Sequence, residues 1–212
     1  MPQRDVGPLT LETVPSAVRT LSRAFAFDPF FARVFPDPTT REAAVLWYFE
    51  ATTRACIALG GADAMMNLDG PTGVALWIPT NGEIVPEIVR ASNLDRRADV
   101  FGRDAEARYQ SLVGPFGDLH RLTMPDAHRY LTILGVDPDH QGRGVGGAVL
   151  ASGLAAADRD GIACYTETTL DRNVPFYERH GFTVVESGIV DSVPFWTFRR
   201  EPHAVPGLTE SA

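Results

Sequence analysis

The sequence contains no lysine, and its 19 basic residues are all arginine. A chain without lysine can form no Schiff base with a carbonyl or a pyridoxal group, and it has no lysine general base. It also cannot complete the Gly-Lys-Ser/Thr ending of a phosphate-binding P-loop. Any phosphate site must therefore rest on backbone N–H groups with help from arginine, and any deprotonation on a carboxylate, a histidine or water.

Cysteine, long apolar runs and excess positive charge are also scarce. Cys56 and Cys164 stand far apart without a Cys-x-x-Cys pair, which indicates neither a zinc site nor a disulfide framework and predicts buried thiols in a reducing cytosol. No stretch approaches the roughly 20 apolar residues of a membrane span, and residues 1–10 lack the apolar core of a signal peptide. The net charge of -8 argues against nucleic-acid binding. We therefore expect a cytoplasmic protein with no metal, membrane or nucleic-acid partner.

The apolar pattern predicts a mixed α/β sandwich. With 44% hydrophobic and 22% charged residues, the composition is that of one soluble domain, which we expect over residues 1–202, with a flexible tail over 203–212. The predicted helices are Pro15–Phe25, Thr40–Leu59, Ile84–Ala91, Arg96–Leu112, Gly144–Asp160 and Asn173–His180. The predicted strands are Ala64–Leu68, Gly73–Ile78, Arg129–Val136, Ile162–Thr168, Phe182–Val190 and Val193–Arg199. The predicted turns and loops are at Asp69-Gly70, Asn81-Gly82, Gly114-Pro115 and Gly117.

One strand-to-helix turn has the pattern of an anion cradle. A buried strand ends in Leu134-Gly135-Val136, turns at Asp137-Pro138, and continues as Gln141-Gly142-Arg143-Gly144-Val145-Gly146-Gly147 where a long helix begins. Free N–H groups at a helix N-terminus point to one place, and the helix dipole adds about half a positive charge there. Arg143 would add a charge-assisted hydrogen bond. A tight packing turn and a dinucleotide-binding turn are the alternatives that this stretch alone leaves open.

A second stretch, Thr166-Glu167-Thr168 followed by Asn173-Val174-Pro175-Phe176-Tyr177 and Gly181-Phe182, narrows the choice. Together the two stretches resemble the GNAT superfamily of acetyl-CoA-dependent N-acyltransferases over about residues 128–200. The resemblance implies the GNAT fold, with a mixed, mostly antiparallel sheet flanked by helices, and acetyl-CoA as co-substrate without a metal. The cofactor contacts that it implies are Leu134, Gly135, Val136, Gln141, Gly142, Arg143, Gly144, Val145, Gly146, Gly147, Asn173 and Phe176.

Within that superfamily the chain is similar to the puromycin N-acetyltransferase branch. The likeness rests on Asp137-Pro138-Asp139-His140-Gln141-Gly142, on Arg172 to Arg179, and on the tryptophan-bearing strand Gly73 to Pro79. It implies transfer of acetyl to a primary amine of a small molecule, such as an aminoacyl-nucleoside antibiotic. A protein or peptide amine, and a non-catalytic acyl-CoA-binding or regulatory domain, remain the alternatives.

Acyl transfer from a thioester to an amine needs a neutral amine, an oxyanion site and a proton for the thiolate. A lysine-like amine is about 3.4 pKa units from neutral at pH 7, which costs roughly 4.6 kcal/mol, whereas an α-amine costs only about 1 to 1.4 kcal/mol. We assign the base to Glu167, with ordered water or a purely structural Glu167 as the alternatives, and the general acid to Tyr177. The N–H of Val136 would polarise the carbonyl. Direct attack is favoured because neither cysteine lies in an activating motif.

Aromatic residues of the first half are candidates for an acceptor pocket. We favour Phe31 and Trp77 as substrate contacts, and Asp28 and Glu83 as partners of a cationic substrate, with cap and turn roles as the alternatives. His128 is a weaker base candidate, and His140 and His180 are expected in solvent-facing or capping roles. The sequence does not identify the acceptor amine, and it does not distinguish a monomer from a homodimer. The wider set of aromatic candidates is Phe25, Phe27, Phe30, Trp47 and Tyr48.

Overall fold

The computed structural model describes residues 6–79 and 84–203. Its strands are β1 (Val6–Pro8), β2 (Ala62–Asn67), β3 (Gly70–Ile78), β4 (His128–Val136), β5 (Ala163–Thr168), β6 (Thr183–Val190) and β7 (Val193–Arg200). Its α-helices are α1 (Val14–Ala24), α2 (Pro29–Val34), α3 (Pro38–Ala58), α4 (Pro86–Ala91), α5 (Arg97–Thr123), α6 (Val145–Asp160) and α7 (Val174–Arg179). None of the helices in these two segments combines the length and the apolarity that crossing a lipid bilayer requires.

The strands form one sheet in the order β1-β2-β3-β4-β5-β7-β6. Only β4 and β5 run parallel, and every other neighbouring pair is antiparallel. The helix α6 connects β4 to β5, as a parallel pair requires. The hairpin predicted at Asp69-Gly70 is confirmed, because β2 and β3 pair up to Asn67 and Gly70. The predicted mixed, mostly antiparallel sheet flanked by helices is therefore confirmed.

Helices cover both faces of this sheet. Alternate residues of a strand point to opposite faces, and on β3 Val74 and Leu76 belong to the cluster packed by α1 and α3, whereas Ala75 and Trp77 belong to the cluster packed by α6. Pairs of Asp and Pro begin two of the helices: the carboxylates of Asp28 and Asp37 accept from the N–H of Phe30 and Thr39 at the starts of α2 and α3.

The loop predicted at Gly114-Pro115 and Gly117 is wrong, because α5 continues through it to Thr123. Leu112 and Phe116 lie one turn apart on α5 and are both buried, and the Phe116 ring packs against Phe195 of β7 with centroids 5.4 Å apart. This packing outweighs the cost of proline inside the helix. The backbone breaks instead at Gly102, where φ is 74°.

Other boundaries differ by at most three residues, and β1 and α2 were not predicted from the sequence. The turn predicted at Asn81-Gly82, the candidate Glu83 and the tail beyond His203 lie outside the described residues. His203 itself is held in place, because its N–H donates to Asp158 Oδ1 of α6 over 2.7 Å.

Candidate active site

A gap opens in the middle of the sheet between β4 and β5. Their pairing ends at Leu131 and Thr166, although β4 continues to Val136. Just beyond Leu131, β4 carries a bulge: Leu131 pairs with Trp77 and Ile133 with Leu76, which leaves Thr132 without a partner on β3. A bulge bends its strand and changes the direction in which the residues after it point. The two strands therefore part at the bulge.

The backbone of β4 beyond the bulge presents hydrogen-bonding groups to this gap. The Asp137 N–H donates to the Thr72 carbonyl at 2.9 Å, so Asp137 faces β3. Because facing alternates along a strand, the N–H and C=O of Val136 and Leu134 turn away from β3 towards the gap. The Val136 carbonyl accepts from Gln141 Nε2 at 3.1 Å. An extended chain entering the gap can pair with the remaining groups.

The predicted anion cradle lies at the end of the gap, at the N-terminus of α6. The first hydrogen bond of the helix runs from Ala148 N–H to Gly144 C=O, so the N–H groups of residues 145–147 precede it. Gly142 and Gly144 have φ of 70° and 79°, a region that favours glycine. A Cβ on Gly147 would stand 2.8 Å from His180 Nε2. Glycine therefore shapes an exposed loop whose N–H groups are available to an anion.

Asn173 and Phe176 close the cradle from the side of α7. The Phe176 ring packs 3.5 Å from where a Cβ on Gly146 would be, and Asn173 Nδ2 donates to Thr168 Oγ1 at 2.9 Å. Both side chains line the same cavity as the cradle glycines. Arg143 is exposed in the loop.

Tyr177 lies on the α6 and α7 face of the sheet, surrounded by Phe176, Phe182 and Phe198. Burial raises the pKa of its phenol to about 12. A thiol has a pKa near 8.5, so the phenol is about 3.5 units less acidic than the group that it would protonate. Tyr177 therefore keeps its proton and is better suited to donate a hydrogen bond to a sulfur than to give up the proton.

Glu167 reaches the gap from the opposite face. It follows Thr166 on β5, and successive strand residues point to opposite faces. Tyr130 Oη donates to Glu167 Oε2 at 3.0 Å. Burial raises the pKa of Glu167 to about 7, and the hydrogen bond from Tyr130 opposes this shift. A carboxylate poised near neutral pH is suited to general base catalysis.

One cavity of about 1030 Å³ contains the glycine cradle, Glu167 and Tyr177, and it extends into an aromatic chamber under α1, α2, α3 and α5. Phe31, predicted from the sequence, lines it. Asp28 caps α2, which is the alternative role that the sequence left open, and it also lines the cavity, so its role toward a cationic substrate stays a prediction. Burial raises the pKa of Asp28, while hydrogen bonds from Phe30 and Thr169 oppose the shift. Other residues of the chamber are Phe25, Phe30, Tyr48, Arg97, Tyr109, Phe116, His120 and Tyr130.

Three aromatic candidates do not line this cavity. Trp77 is 1% exposed and lies under α6, where a Cβ on Gly153 would stand 2.2 Å from its ring. Its ring therefore belongs to the core and not to the cavity wall. Phe27 is exposed, and Trp47 packs against Phe101.

Several cavity residues were not assigned such a place from the sequence. His120, Tyr109 and Arg97 come from α5, which was weakly patterned. His180 stands at the C-cap of α7 with its Nδ1 2.7 Å from the Phe176 carbonyl, which agrees with the expected capping role, and it also lines the cavity. Arg97 pairs with Glu106 at 2.8 Å and lies over the Tyr109 ring at 4.4 Å. In the sequence, the only signal for a place of these α5 residues in the cavity wall is the aromatic and charged composition of residues 97–120.

Both cysteines are buried and unpaired, as predicted. Burial raises the pKa of Cys56 to about 12 and that of Cys164 to about 11. Neither lines the cavity. A thiol that stays protonated is a poor nucleophile, so these residues give no support to a cysteine-linked intermediate.

Comparison with known proteins identifies the class of this fold. Residues 111–184 match the family model described as Acetyltransferase (GNAT) domain. This segment is similar to such a domain, and the chain has the GNAT fold. The match begins in α5 and ends in β6, so it contains the gap, the cradle, Glu167 and Tyr177.

Among solved structures, one described as histone acetyltransferase HPA2 and related acetyltransferase, from Corynebacterium glutamicum, is similar with a TM-score of 0.68 and 28% identity over 96% of this chain and 98% of that chain. The arylalkylamine N-acetyltransferase 2 of Aedes aegypti gives a TM-score of 0.63 at 14% identity, over 94% of this chain and 99% of that one. The polyamine N-acetyltransferase of Drosophila melanogaster gives 0.64 at 12% identity, over 93% and 99%. The last two show the fold alone.

A curated relative, the mycothiol acetyltransferase of Propionibacterium freudenreichii subsp. shermanii, is 42% identical over 60 residues, which are 27% of this chain and 19% of that protein. The chain thus spans about a fifth of the relative's length. The likeness to the puromycin branch stays a prediction.

Proposed function

We propose that the protein is an acetyl-CoA-dependent N-acetyltransferase that transfers acetyl by direct attack to a primary amine of a small molecule. The observation that carries the proposal is the placement of Glu167 and Tyr177 on opposite faces of the β4–β5 gap, in one cavity with the glycine cradle. The proposal includes a cytoplasmic location and one catalytic domain over residues 1–202.

Acetyl-CoA fits the shape and chemistry of the α6 side of the cavity. The N–H groups of residues 145–147 would hold the diphosphate, and the turned-out backbone of Leu134 and Val136 would pair with the pantetheine arm. The further contacts proposed for the cofactor are Gly135, Gln141, Gly142, Arg143, Gly144, Asn173 and Phe176. This arrangement would bring the thioester to the point where β4 and β5 separate.

Where β4 and β5 separate, Glu167 and Tyr177 would act on the thioester and the amine from opposite faces of the sheet. Glu167 would take a proton from the acceptor ammonium, and the neutral amine would then attack the carbonyl carbon. The Val136 N–H would stabilise the oxyanion as a single donor. As the C–S bond breaks, the Tyr177 hydroxyl would donate a hydrogen bond to the thiolate. The surplus proton left on the amide nitrogen and the proton held by Glu167 would pass to solvent, and solvent would protonate the thiolate.

The aromatic chamber favours a small acceptor over a protein chain. Its wall of phenylalanine and tyrosine rings suits an amine with an apolar body, and Asp28 adds a carboxyl group that can receive a cation. An aminoacyl-nucleoside has such a body, and its α-amine needs little help from a base. A domain that only binds acyl-CoA needs neither a base nor a hydroxyl group beside the thioester. The presence of both Glu167 and Tyr177 therefore favours an enzyme over a non-catalytic binding domain.

A thiol-release screen tests the proposal. We expect acetyl-CoA with at least one amine, from a panel of aminoacyl-nucleosides, arylalkylamines, aminoglycosides, polyamines, amino acids and peptides, to release CoA far above the rate without amine. Release with peptides alone would favour the protein-acceptor alternative. Background release with every amine, together with a CoA-induced rise in melting temperature, would favour a non-catalytic binding domain.

Arg23 of α1 holds the acidic turn before the cradle. Its Nη1 lies 2.7 Å from Asp137 Oδ2 and its Nη2 lies 2.9 Å from Asp139 Oδ2. We expect Arg23→Gln to weaken CoA binding about 10-fold by calorimetry, because two unneutralised carboxylates would then repel the diphosphate. Arg23→Gln with Asp139→Asn should recover part of the loss. Arg19→Gln, on an exposed turn of the same helix, is the control, and equal losses for Arg19→Gln and Arg23→Gln would refute the electrostatic role.

A further inference from the structure

Two histidines that the proposed mechanism does not use meet beside the acceptor chamber. His120 of α5 and His128 of β4 approach with their Nε2 atoms 2.6 Å apart. His128 is 2% exposed, and its Nδ1 lies 2.7 Å from the Asp126 carbonyl. The His120 ring stacks on Tyr165 with centroids 4.2 Å apart and planes 3° from parallel, and it lines the cavity.

The two contacts of His128 determine where the protons lie when both rings are neutral. A carbonyl oxygen only accepts, so His128 must carry its proton on Nδ1, and its Nε2 is then an acceptor. His120 must therefore donate from Nε2. A neutral imidazole has one N–H, so Nδ1 of His120 carries a lone pair and no proton.

His120 stays neutral at physiological pH. Burial, with the nearby His128 and Arg121, lowers the pKa of His120 to about 4. Within the described part of the chain, Nδ1 of His120 has no hydrogen-bond partner, while its ring lies in the cavity wall. The Tyr130 ring lies beside the His120 ring, with centroids 4.7 Å apart, and Val113 and Phe116 of the same helix line the same cavity.

From this arrangement we infer that His120 Nδ1 is a specificity-determining hydrogen-bond acceptor, and that the chamber selects amines that carry a second hydrogen-bond donor on an otherwise apolar body. When the amine substrate fills the chamber, it expels the water that otherwise solvates His120 Nδ1. An amine with a hydroxyl or N–H at this place restores a hydrogen bond, whereas a purely apolar amine leaves the lone pair without one.

The position of His120 relative to the proposed base defines where that donor must be. The His120 and Tyr130 rings are 4.7 Å apart by centroid, and Tyr130 Oη contacts Glu167. When the reacting amine of a substrate lies at Glu167, the second hydrogen-bond donor of that substrate must lie about the length of one tyrosine ring away to reach His120. A short apolar spacer between the amine and the donor would span this distance. The inference rests on the proposed function, since it concerns the acceptor of that same reaction.

Matched pairs of primary amines test the inference. The probes are tyramine against phenethylamine, and ω-amino alcohols against alkylamines of equal length. We expect the wild-type protein to prefer the hydroxylated member of at least one pair by about 10- to 100-fold in kcat/KM. His120→Phe keeps a ring stacked on Tyr165 but removes the lone pair, so the preference should fall to about unity. His203→Phe, outside the cavity, should keep it, and thermal unfolding checks that all variants are folded.

A second measurement needs no variant and no acceptor. Nitrogen-15 NMR of the wild-type protein at about pH 8, above the ordinary histidine pKa of about 6.5, should show His120 protonated on Nε2 and bare on Nδ1. A proton on Nδ1 would overturn the inference. Equal kcat/KM within every pair, or a preference that survives in His120→Phe, would also overturn it and leave amine acetylation standing. No turnover of any amine would remove the proposed function, and this inference with it.

Discussion

Replacing Tyr177 by phenylalanine is expected to lower kcat by about 10²- to 10³-fold while the Kd for acetyl-CoA changes little. The phenol is surrounded by Phe176, Phe182 and Phe198, so a phenylalanine fits the same space. The substitution removes only the hydroxyl that would stabilise the leaving thiolate. Because that interaction forms only as the C–S bond breaks, its loss should appear in kcat rather than in substrate affinity.

Stopped-flow or steady-state thiol release gives kcat, and calorimetry gives the Kd. A change of less than about threefold in kcat would remove Tyr177 from the chemistry and leave it as a core residue. An equal loss in kcat and in CoA affinity, with a lower melting temperature, would mean that the substitution had disturbed the α7 side of the cavity instead.

Replacing Glu167 by glutamine is expected to lower kcat at neutral pH by about 10²-fold or more and to remove one limb of the pH profile. A base must be ionised to act, and burial raises the pKa of Glu167 to about 7, so the wild-type kcat should rise as pH increases through about 7. Glutamine cannot ionise, so this rise should vanish. The loss should be larger for an alkylamine, with a pKa near 10.4, than for an α-amine near 7.7 to 8.0.

The pH profile of kcat is the quantity to measure, because it reports groups in the bound complex. Glu186→Gln, on the exposed strand β6, is the matched control and should leave the profile unchanged. If Glu167→Gln kept the rise near pH 7, the base would be another group or ordered water, and Glu167 would be a hydrogen-bond partner of Tyr130 alone.

Local signals were enough to predict the hairpin and the glycine turn where we propose that the cofactor binds. The Asp69-Gly70 turn fixes the hairpin, and the glycines at 142 and 144 sit where φ is positive, so short-range rules found them. Tyr177 and Glu167 were predicted with the help of the GNAT resemblance, and their catalytic roles stay predictions.

Long-range packing decided the rest. The bulge at Thr132 comes from the pairing of β4 with β3, and nothing in the local pattern marks it. Trp77 lies in the core because Gly153, 76 residues later, leaves room for its ring. The α5 side of the chamber was missed because Pro115 and its glycines predict a loop, while burial of Leu112 and Phe116 keeps the segment helical. His120 therefore entered the site only through the fold.

Product analysis of a single reaction tests the central claim most directly. The protein is incubated with acetyl-CoA and the best amine of the panel, and free CoA and N-acetylated amine are quantified in the same sample. We expect both products to form in equal amounts, only when the amine is present, and Tyr177→Phe to slow both alike. CoA formed without acetylated amine, or neither product above the enzyme-free background with any amine, would contradict it.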